Sequence, residues 1–397
     1  MQQFHKLNRN RLTTIAQGGL FVISGYDAMQ LSGDMAAPFL QESNFWWLSG
    51  IEEPGWKIII DGARKGHATL FYPELSEVKR IFDGAVDSEA AREISQADDV
   101  LSMDAFEDTL RQLRRTHTVV RTIRPREMGD FVANPAQLET VKVLERIFIS
   151  VEDCSRSIAE LRAIKQPEEI RRIRTAVKLS VQAFSAVREK LETYKHEYEI
   201  EADFTQFFRS KGAGHAYAPI VASGANACTL HYEQNSGRAV RRQAALIDIG
   251  ARVEGYSADI TRTYCASPTK RMIAVHAAVE KAHNRCIQLL GPDVSTSSYA
   301  AQVDEIMKDA LQELGLLEDR SDQLTYRKYF PHAVSHGLGV DTHDALGAPR
   351  YFQPGMVLTV EPGIYIPEEE IGVRIEDDIL ITAKGYENLS AALSTKL

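Results

Sequence analysis

Two aspartates stand in stretches of this sequence that otherwise have the pattern of buried β-strand. In ALIDIGARVEGYSADITRTY (245–264), Asp248 and Asp259 have apolar neighbours, and the Glu-Gly pair between them is typical of a hairpin turn. A turn centred on residues 253–254 would place the two carboxylates opposite each other on one face of the sheet. Such a pair repels, so either one acid is protonated or a cation lies between them. The alternatives are two exposed strand-end acids, or an ion pair between Asp259 and Arg262.

Three histidines follow in the C-terminal half of the chain. The stretch FPHAVSHGLGVDTHD (330–344) contains His332, His336 and His343, with glycines between them that let the backbone pass close to a ligand. A single histidine is most often a core residue, but a cluster of histidine, aspartate and glycine as dense as this one favours a binding site.

Two glutamates complete the set of candidate residues. Glu361 ends the strand-like run GMVLTVE, and Glu376 comes two residues after Arg374 in GVRIEDDILIT (372–382), so that those two side chains leave one face of a strand. Taken singly, Glu361 is an ordinary strand-end acid, and Glu376 could pair with Arg374 or Arg350.

Together, four carboxylates and one imidazole indicate a site for two divalent cations. Two such ions balance the charge of four carboxylates, which lowers the free-energy cost of burying the cluster. A ligand set of mostly oxygen and one nitrogen favours manganese or cobalt, with zinc as an alternative. The candidate ligands follow the order Asp248, Asp259, one of the three histidines, Glu361 and Glu376.

The elements around these residues divide the chain into two domains. Strand-like runs alternate with helical stretches in the first part, which predicts an α/β domain over residues 1–155. The strand-like runs are LFVIS (20–24), KIIID (57–61), ATLFY (68–72) and TVVRTI (118–123), and the helical stretches are 90–95 and 103–115. Apolar residues at helical spacing over 160–194, strand-like runs beyond 216 and two further helices at 272–290 and 299–314 predict an α+β domain over 156–397.

Composition narrows the range of partners and compartments. The chain has 397 residues, 44% hydrophobic and 25% charged, and a net charge of −9 with acids and bases interspersed. This balance gives no sign of binding to nucleic acid or to a membrane, and favours a small or peptidic partner. Four cysteines without C-x-x-C spacing are expected to be reduced, and the start of the chain lacks an apolar signal region. We therefore expect a cytoplasmic protein.

The motifs identify a family resemblance. DIG…ADITRT, HAVSHGLGVDTHD, TVEPGIYI and RIEDDILIT resemble the metal-binding motifs of the pita-bread metallopeptidases, from about residue 160 to the C-terminus. The stretch SGDMAAPFLQESNFWWLSGIEEPG (32–55) resembles the N-terminal domain of the aminopeptidase P and prolidase branch, which methionine aminopeptidases lack. The resemblance implies an α/β domain followed by an α+β pita-bread catalytic domain, and an enzyme that cleaves the N-terminal Xaa-Pro bond of a peptide.

The resemblance also assigns roles to the metal ligands. Asp248 would chelate one ion, Asp259 and Glu376 would bridge both, and His336 and Glu361 would hold the other. A water that bridges two divalent ions is largely hydroxide at neutral pH and would supply the nucleophile. Glu361 would accept and pass on the proton.

The remaining site residues also come from the resemblance. His231 and His343 would stabilise the tetrahedral intermediate, although His231 could instead be a turn histidine packed on Tyr232. Four of the other implied residues would contact substrate: His332 in the proline pocket, Arg350, Tyr365 and, as a wall that a neighbouring chain contributes, Phe82. Arg374 would orient the carboxylates of the metal ligands.

Alternatives within and beyond this family remain. The loop after His343 is short and offers only Arg350 to grip a carboxylate, so a dipeptidase of the prolidase type is a weaker expectation than an aminopeptidase. A binding module or a creatinase-like amidinohydrolase would share the fold but lose the metal ligands, all five of which are present here. The family also implies a homodimer or homotetramer acting on proline-containing peptides.

Overall fold

The structure, a computed structural model, describes residues 3–125, 132–238 and 244–397. The chain forms two compact units, Met1–Leu161 and Arg162–Leu397. They divide within the helix α7 (Ser155–Ala163), slightly later than the boundary expected between 155 and 156.

The first unit is built on a six-stranded mixed sheet, which in order across the sheet consists of Asp99–Ser102, His67–Tyr72, Lys57–Asp61, Leu20–Ser24, Val119–Thr122 and Ser150–Asp153. Its strands are β1 (Leu20–Ser24), β2 (Gln30–Ser32), β3 (Met35–Ala36), β4 (Lys57–Asp61), β5 (His67–Tyr72), β6 (Asp99–Ser102), β7 (Val119–Thr122) and β8 (Ser150–Asp153), of which β2 and β3 form a separate hairpin. Its helices are α1 (Phe4–Ile15), α2 (Ser43–Ser49), α3 (Glu77–Asp83), α4 (Ser88–Ser95), α5 (Phe106–Leu113) and α6 (Pro135–Ile147), besides α7.

The predicted α/β pattern of this unit is confirmed. All four strand-like runs contain a strand of the sheet, and both helical stretches contain a helix. Apolar residues on α5 and α6, including Phe106 and Leu144, pack on Leu20 and Val22 of β1. Burial of these faces provides the main stabilisation of the layer.

The second unit surrounds short antiparallel sheets with long helices. Its helices are α8 (Pro167–Glu189), α9 (Glu197–Arg209), α10 (Lys270–Gln288), α11 (Thr296–Glu313) and α12 (Gln323–Tyr329). Its strands are β9 (Gly214–His215), β10 (Ile220–Ser223), β11 (Ala245–Asp248), β12 (Ala251–Val253), β13 (Tyr256–Ser257), β14 (Thr261–Tyr264), β15 (Val357–Val360), β16 (Gly363–Ile366), β17 (Ile371–Arg374), β18 (Asp377–Thr382) and β19 (Gly385–Asn388). The sheets have the orders β10-β11-β14, β13-β12-β9, β15-β18-β19 and β16-β17.

Local sequence explains where the longest helix starts. Pro167 occupies the first turn of α8, where its missing N–H is not needed, and Glu169 forms a capping box with Gln166. The main core of this unit lies between α10, α11 and the strands β15 to β18. These helices hold the strands whose ends carry the candidate ligands. Among the described residues, no helix is long and apolar enough to cross a membrane.

Candidate metal centre

The five predicted ligands lie around a single cavity of about 740 Å³ in the second unit. Asp248, Asp259, His336, Glu361 and Glu376 all line it. Four other predicted site residues line the same cavity: His231, His332, His343 and Arg374. The structure thus brings together residues from stretches far apart in sequence.

A β-hairpin positions the two aspartates, with a register that differs from the prediction. The turn is centred on Glu254 and Gly255, which both have positive φ (47° and 82°), the conformation of a type I′ turn. Asp248 therefore pairs with Thr261, and Asp259 lies diagonally across from it instead of directly opposite. Diagonal neighbours on one face are still within reach of each other, so both carboxylates enter the cavity.

Backbone pairing places His336 beside Glu361. The His336 carbonyl accepts a hydrogen bond from Thr359 N (2.9 Å), and Glu361 N donates to Val334 O (2.8 Å). His336 Nε2 then lies 3.2 Å from Glu361 Oε1 and 3.5 Å from Asp259 Oδ2. Glu361 follows the last residue of β15, as the sequence predicted.

Glu376 lies between two strands instead of within one. Arg374 is the last residue of β17, which pairs with β16, whereas β18 begins at Asp377 and pairs with β15. The predicted single strand is therefore broken because its two halves join different sheets. Glu376 N donates to Thr261 O (3.1 Å), and its Oε2 accepts from Thr261 Oγ1 (2.6 Å), which holds the carboxylate in the cavity.

Arg374 is held by groups at the wall of the cavity. Its guanidinium donates to Asp248 Oδ2 (2.5 Å), to Tyr365 Oη (2.8 Å) and to Thr261 Oγ1 (3.2 Å). His332 Nε2 lies 2.9 Å from the same Tyr365 hydroxyl. Arg374 thus orients one candidate ligand and connects it to two predicted substrate residues.

The ligand atoms form groups that fit divalent cations. One group combines Asp248, Asp259 and Glu376, and another combines His336, Glu361 and Glu376, with the ligand atoms of each group within 4.8 Å of one another. Three of the carboxylates are buried, and such a cluster is stable only when positive charge accompanies it. The donor set and the shared Glu376 fit a two-ion site.

The ionisation of the cluster reflects the same demand for positive charge. Burial raises the pKa of Asp259 to about 6, and burial together with Asp259 and Glu361 raises the pKa of Glu376 well above its usual range. Burial disfavours a charged His336, but hydrogen bonds to Asp259 and Glu361 outweigh it and raise its pKa to about 12. The site therefore attracts protons or cations.

The two predicted catalytic histidines are exposed at the rim of the cavity. The ring of His343 lies 4.2 Å from that of His336, centroid to centroid, and His343 also forms a three-residue group with Asp259 and His336. Burial lowers the pKa of His343, as do nearby His336 and His231, so it is neutral at neutral pH and can donate a hydrogen bond.

Three predicted substrate residues are absent from the described lining of this cavity: Tyr365, Arg350 and Phe82. The Tyr365 hydroxyl lies beside the cavity, in contact with His332 and Arg374. Arg350 is absent from the described residues that line it, and its guanidinium carbon lies 5.5 Å from the ring centroid of Tyr351. Phe82 lies in the first unit, on α3, with 79% of its surface exposed. The substrate role of all three residues stays a prediction.

Sequence reasoning missed several residues that support the site. Tyr217 lines the cavity and donates to Asp248 Oδ1 (2.6 Å), although nothing in its local sequence marks it. Asp344, next to His343, is buried between Arg162 (2.7 Å) and Lys165 (2.9 Å). Its position after a histidine in a glycine-rich motif was the only available signal.

Comparison with known proteins identifies the family of the chain. Residues 171–383 match the model of metallopeptidase family M24, and residues 5–121 match that of the aminopeptidase P N-terminal domain. The chain is 31% identical over 422 residues to the Xaa-Pro aminopeptidase of Escherichia coli, an alignment that covers 100% of this chain and 96% of that protein.

Solved structures agree with these matches. Aminopeptidase P from E. coli with the inhibitor Pro-Leu superposes with a TM-score of 0.89 at 30% identity, and its zinc-substituted form in complex with product with 0.88 at 29%. Each match covers 100% of this chain and 96% of the other. The predicted α/β N-terminal domain and pita-bread catalytic domain are confirmed, and the chain belongs to metallopeptidase family M24.

Proposed function

We propose that this metallopeptidase hydrolyses the N-terminal Xaa-Pro bond of peptides with two divalent ions, manganese by preference, in its cavity. The observation that carries the proposal is the convergence of Asp248, Asp259, His336, Glu361 and Glu376 on one cavity. The names of the related proteins, Xaa-Pro aminopeptidase and aminopeptidase P, support the bond that is cleaved.

Each ion is assigned its own ligands. Asp248 would hold the first ion, His336 and Glu361 the second, and Asp259 and Glu376 both. The overlap of the two ligand groups at Glu376 supports this sharing. When bound, divalent ions lower the pKa of coordinated water and polarise a carbonyl oxygen.

The chain's own side chains supply proton transfer and orientation. Glu361 has one oxygen 3.2 Å from His336 and the other 3.7 Å from His332, and it lines the cavity, so it can take a proton from the attacking water and pass it to the proline nitrogen. His231 and His343 would donate hydrogen bonds to the oxygen that gains charge in the transition state. Arg374 keeps Asp248 in position.

The arginines around the cavity favour peptides longer than two residues. A dipeptidase must bind the C-terminal carboxylate of the proline, but Arg374 is already engaged by Asp248 and Tyr365, and no other arginine is among the described residues that line the cavity. We therefore favour an aminopeptidase over a dipeptidase of the prolidase type.

This preference can be measured directly. With manganese present, kcat/KM for Xaa-Pro-Xaa tripeptides should exceed that for Xaa-Pro dipeptides by at least about tenfold. The reason is that the carboxylate of a bound dipeptide would lack a charge-assisted hydrogen bond in the cavity, and the loss of one such bond corresponds to roughly tenfold. Xaa-Ala-Xaa peptides serve as the control for proline selectivity. Faster turnover of dipeptides would favour the prolidase alternative, and equal turnover of the alanine peptides would contradict the Xaa-Pro assignment.

A homo-oligomer is also proposed, with α3 as part of the contact. Val78, Ile81 and Phe82 occupy one side of this helix and are all exposed. Isolated apolar residues are common on surfaces, but three at helical spacing are typical of a contact surface. A second copy of the chain is the partner that the family implies. The cytoplasmic location stays a prediction.

The Phe82→Ser variant tests this contact. It should shift the protein toward smaller species in light scattering coupled to size-exclusion chromatography and lower kcat/KM for Xaa-Pro-Xaa peptides, because an apolar anchor is lost. Ile149→Ser, at a position 73% exposed in the same unit, is the matched control. A monomeric wild-type protein with full activity would contradict the proposal.

A further inference from the structure

The segment that carries His231 has little regular backbone structure to fix it. After the short helical turn Gly224–Cys228, residues 229–237 form neither helix nor strand. His231 is exposed at the cavity and follows this irregular path. Its imidazole can serve a reaction only if other groups hold the segment in one conformation.

A buried carboxylate accepts hydrogen bonds from residues on both sides of this histidine. Glu197, the first residue of α9, is 0% exposed. Its Oε1 accepts hydrogen bonds from Ser223 N (2.7 Å) and Asn226 Nδ2 (3.1 Å). Its Oε2 accepts from Tyr232 Oη (2.9 Å) and Gly237 N (2.6 Å). One side chain therefore holds two residues before the segment, Ser223 and Asn226, and two within it, Tyr232 and Gly237.

The segment approaches this carboxylate closely because it has a glycine, Gly237, at the point of contact. A Cβ added at Gly237 would lie 2.7 Å from both oxygens of Glu197 and 2.5 Å from Asn226 Nδ2. Tyr232, the neighbour of His231, buries its ring in a cluster that includes Ile220 and against which Leu230 packs, and both Ile220 and Leu230 line the cavity. The contact is therefore continuous with the wall of the cavity.

We propose that Glu197 is a positioning residue that holds His231 in place through Tyr232 and the backbone of the segment. The inference rests on the proposed function for the role of His231. A carboxylate fits here because it accepts at every lone pair and donates nothing, whereas an amide would direct its own N–H groups at donors. Glu197 contacts neither the ligand groups nor the substrate cavity in the described part of the chain.

The test is Glu197→Gln, with Glu199→Gln as the matched control. Glu199 lies in the same first turn of α9 and bonds to Lys195 N and His196 N, not to the His231 segment. We expect Glu197→Gln to lower kcat by about 10- to 100-fold with KM and metal content nearly unchanged, because a displaced catalytic group affects the transition state most. An equal loss in Glu199→Gln, or no loss in Glu197→Gln, would overturn the inference.

A double-mutant comparison separates positioning from general damage. In a His231→Ala background, Glu197→Gln should lower kcat by less than about twofold, since the group it positions is already gone. A full additional loss in the double variant would show that Glu197 acts on something else. Tyr232→Phe removes one hydrogen bond and keeps the buried ring, so it should give a smaller loss with the same dependence on His231. It replaces Glu197→Gln in the comparison if that variant does not fold.

A spectroscopic readout keeps the inference separate from the proposed activity. The imidazole C–H resonance of His231, assigned by its loss in His231→Ala, should shift in Glu197→Gln and Tyr232→Phe but not in Glu199→Gln. If the wild-type protein cleaves no Xaa-Pro peptide, the proposed function fails while this measurement still decides the positioning role. An unchanged resonance in both variants would contradict it.

Discussion

Asp259→Asn and Glu376→Gln should each lower kcat/KM for an Xaa-Pro-Xaa peptide by at least about 10²-fold. Substitution of a residue that only supports a metal ligand already lowers metal affinity or activity by about 10- to 100-fold, and these two residues are assigned as ligands themselves. Both residues belong to the buried group with Asp248, and both are assigned to the two ions together. Each substitution keeps the shape of the side chain and removes the charge that holds a cation.

The fold should survive these substitutions. Burial raises the pKa of Asp259 and of Glu376, so the folded chain already disfavours their charge, and a neutral amide relieves repulsion within the cluster. Circular dichroism melting should therefore show a stable protein, while metal analysis shows less bound metal.

Glu233→Gln is the matched control for these variants. Glu233 is an exposed carboxylate that lines the cavity but belongs to none of the ligand groups found among the described residues. It should retain its metal content and most of its activity. Full activity in Asp259→Asn or Glu376→Gln would contradict the ligand assignment.

His231→Ala and His343→Ala should each reduce kcat by about 10²-fold or more, the scale of a lost hydrogen-bond donor to a developing oxyanion. Both histidines line the cavity from exposed positions, and an imidazole N–H can donate a hydrogen bond. Metal content should be unchanged in both, because neither is assigned as a ligand.

The conservative variants His231→Gln and His343→Gln sharpen this prediction. Glutamine retains an N–H donor and should recover part of the lost kcat. Metal analysis of His343→Ala is the decisive control, because His343 forms a group with Asp259 and His336. Loss of metal in that variant would make His343 a ligand and not a catalyst.

The convergence of the candidate ligands on one cavity was predictable in part, where a candidate lies in a short motif whose local structure determines its direction. Glu361 ends a strand, and His336 belongs to a glycine-rich stretch that pairs with the same strand. The predicted register of Asp248 and Asp259 was wrong because the turn was centred one residue too early: the Glu254-Gly255 pair itself forms the turn, and a shift of one residue in the turn changes every cross-strand partner.

Residues that act through distant contacts could not be predicted. Tyr217 reaches Asp248 across 31 positions, and Glu197 reaches Tyr232 across 35. Neither lies in a motif, and an isolated tyrosine or glutamate in sequence predicts only a surface or a core position. The break between β17 and β18 was hidden for a similar reason, since pairing with two different sheets depends on the whole fold.

Metal removal tests the central claim most directly. Protein stripped by a chelator should lose its turnover of Xaa-Pro-Xaa peptides, and activity should return with manganese or cobalt as two ions bind per chain, counted by elemental analysis in the same titration. Full activity in a sample shown to contain no metal would contradict the account.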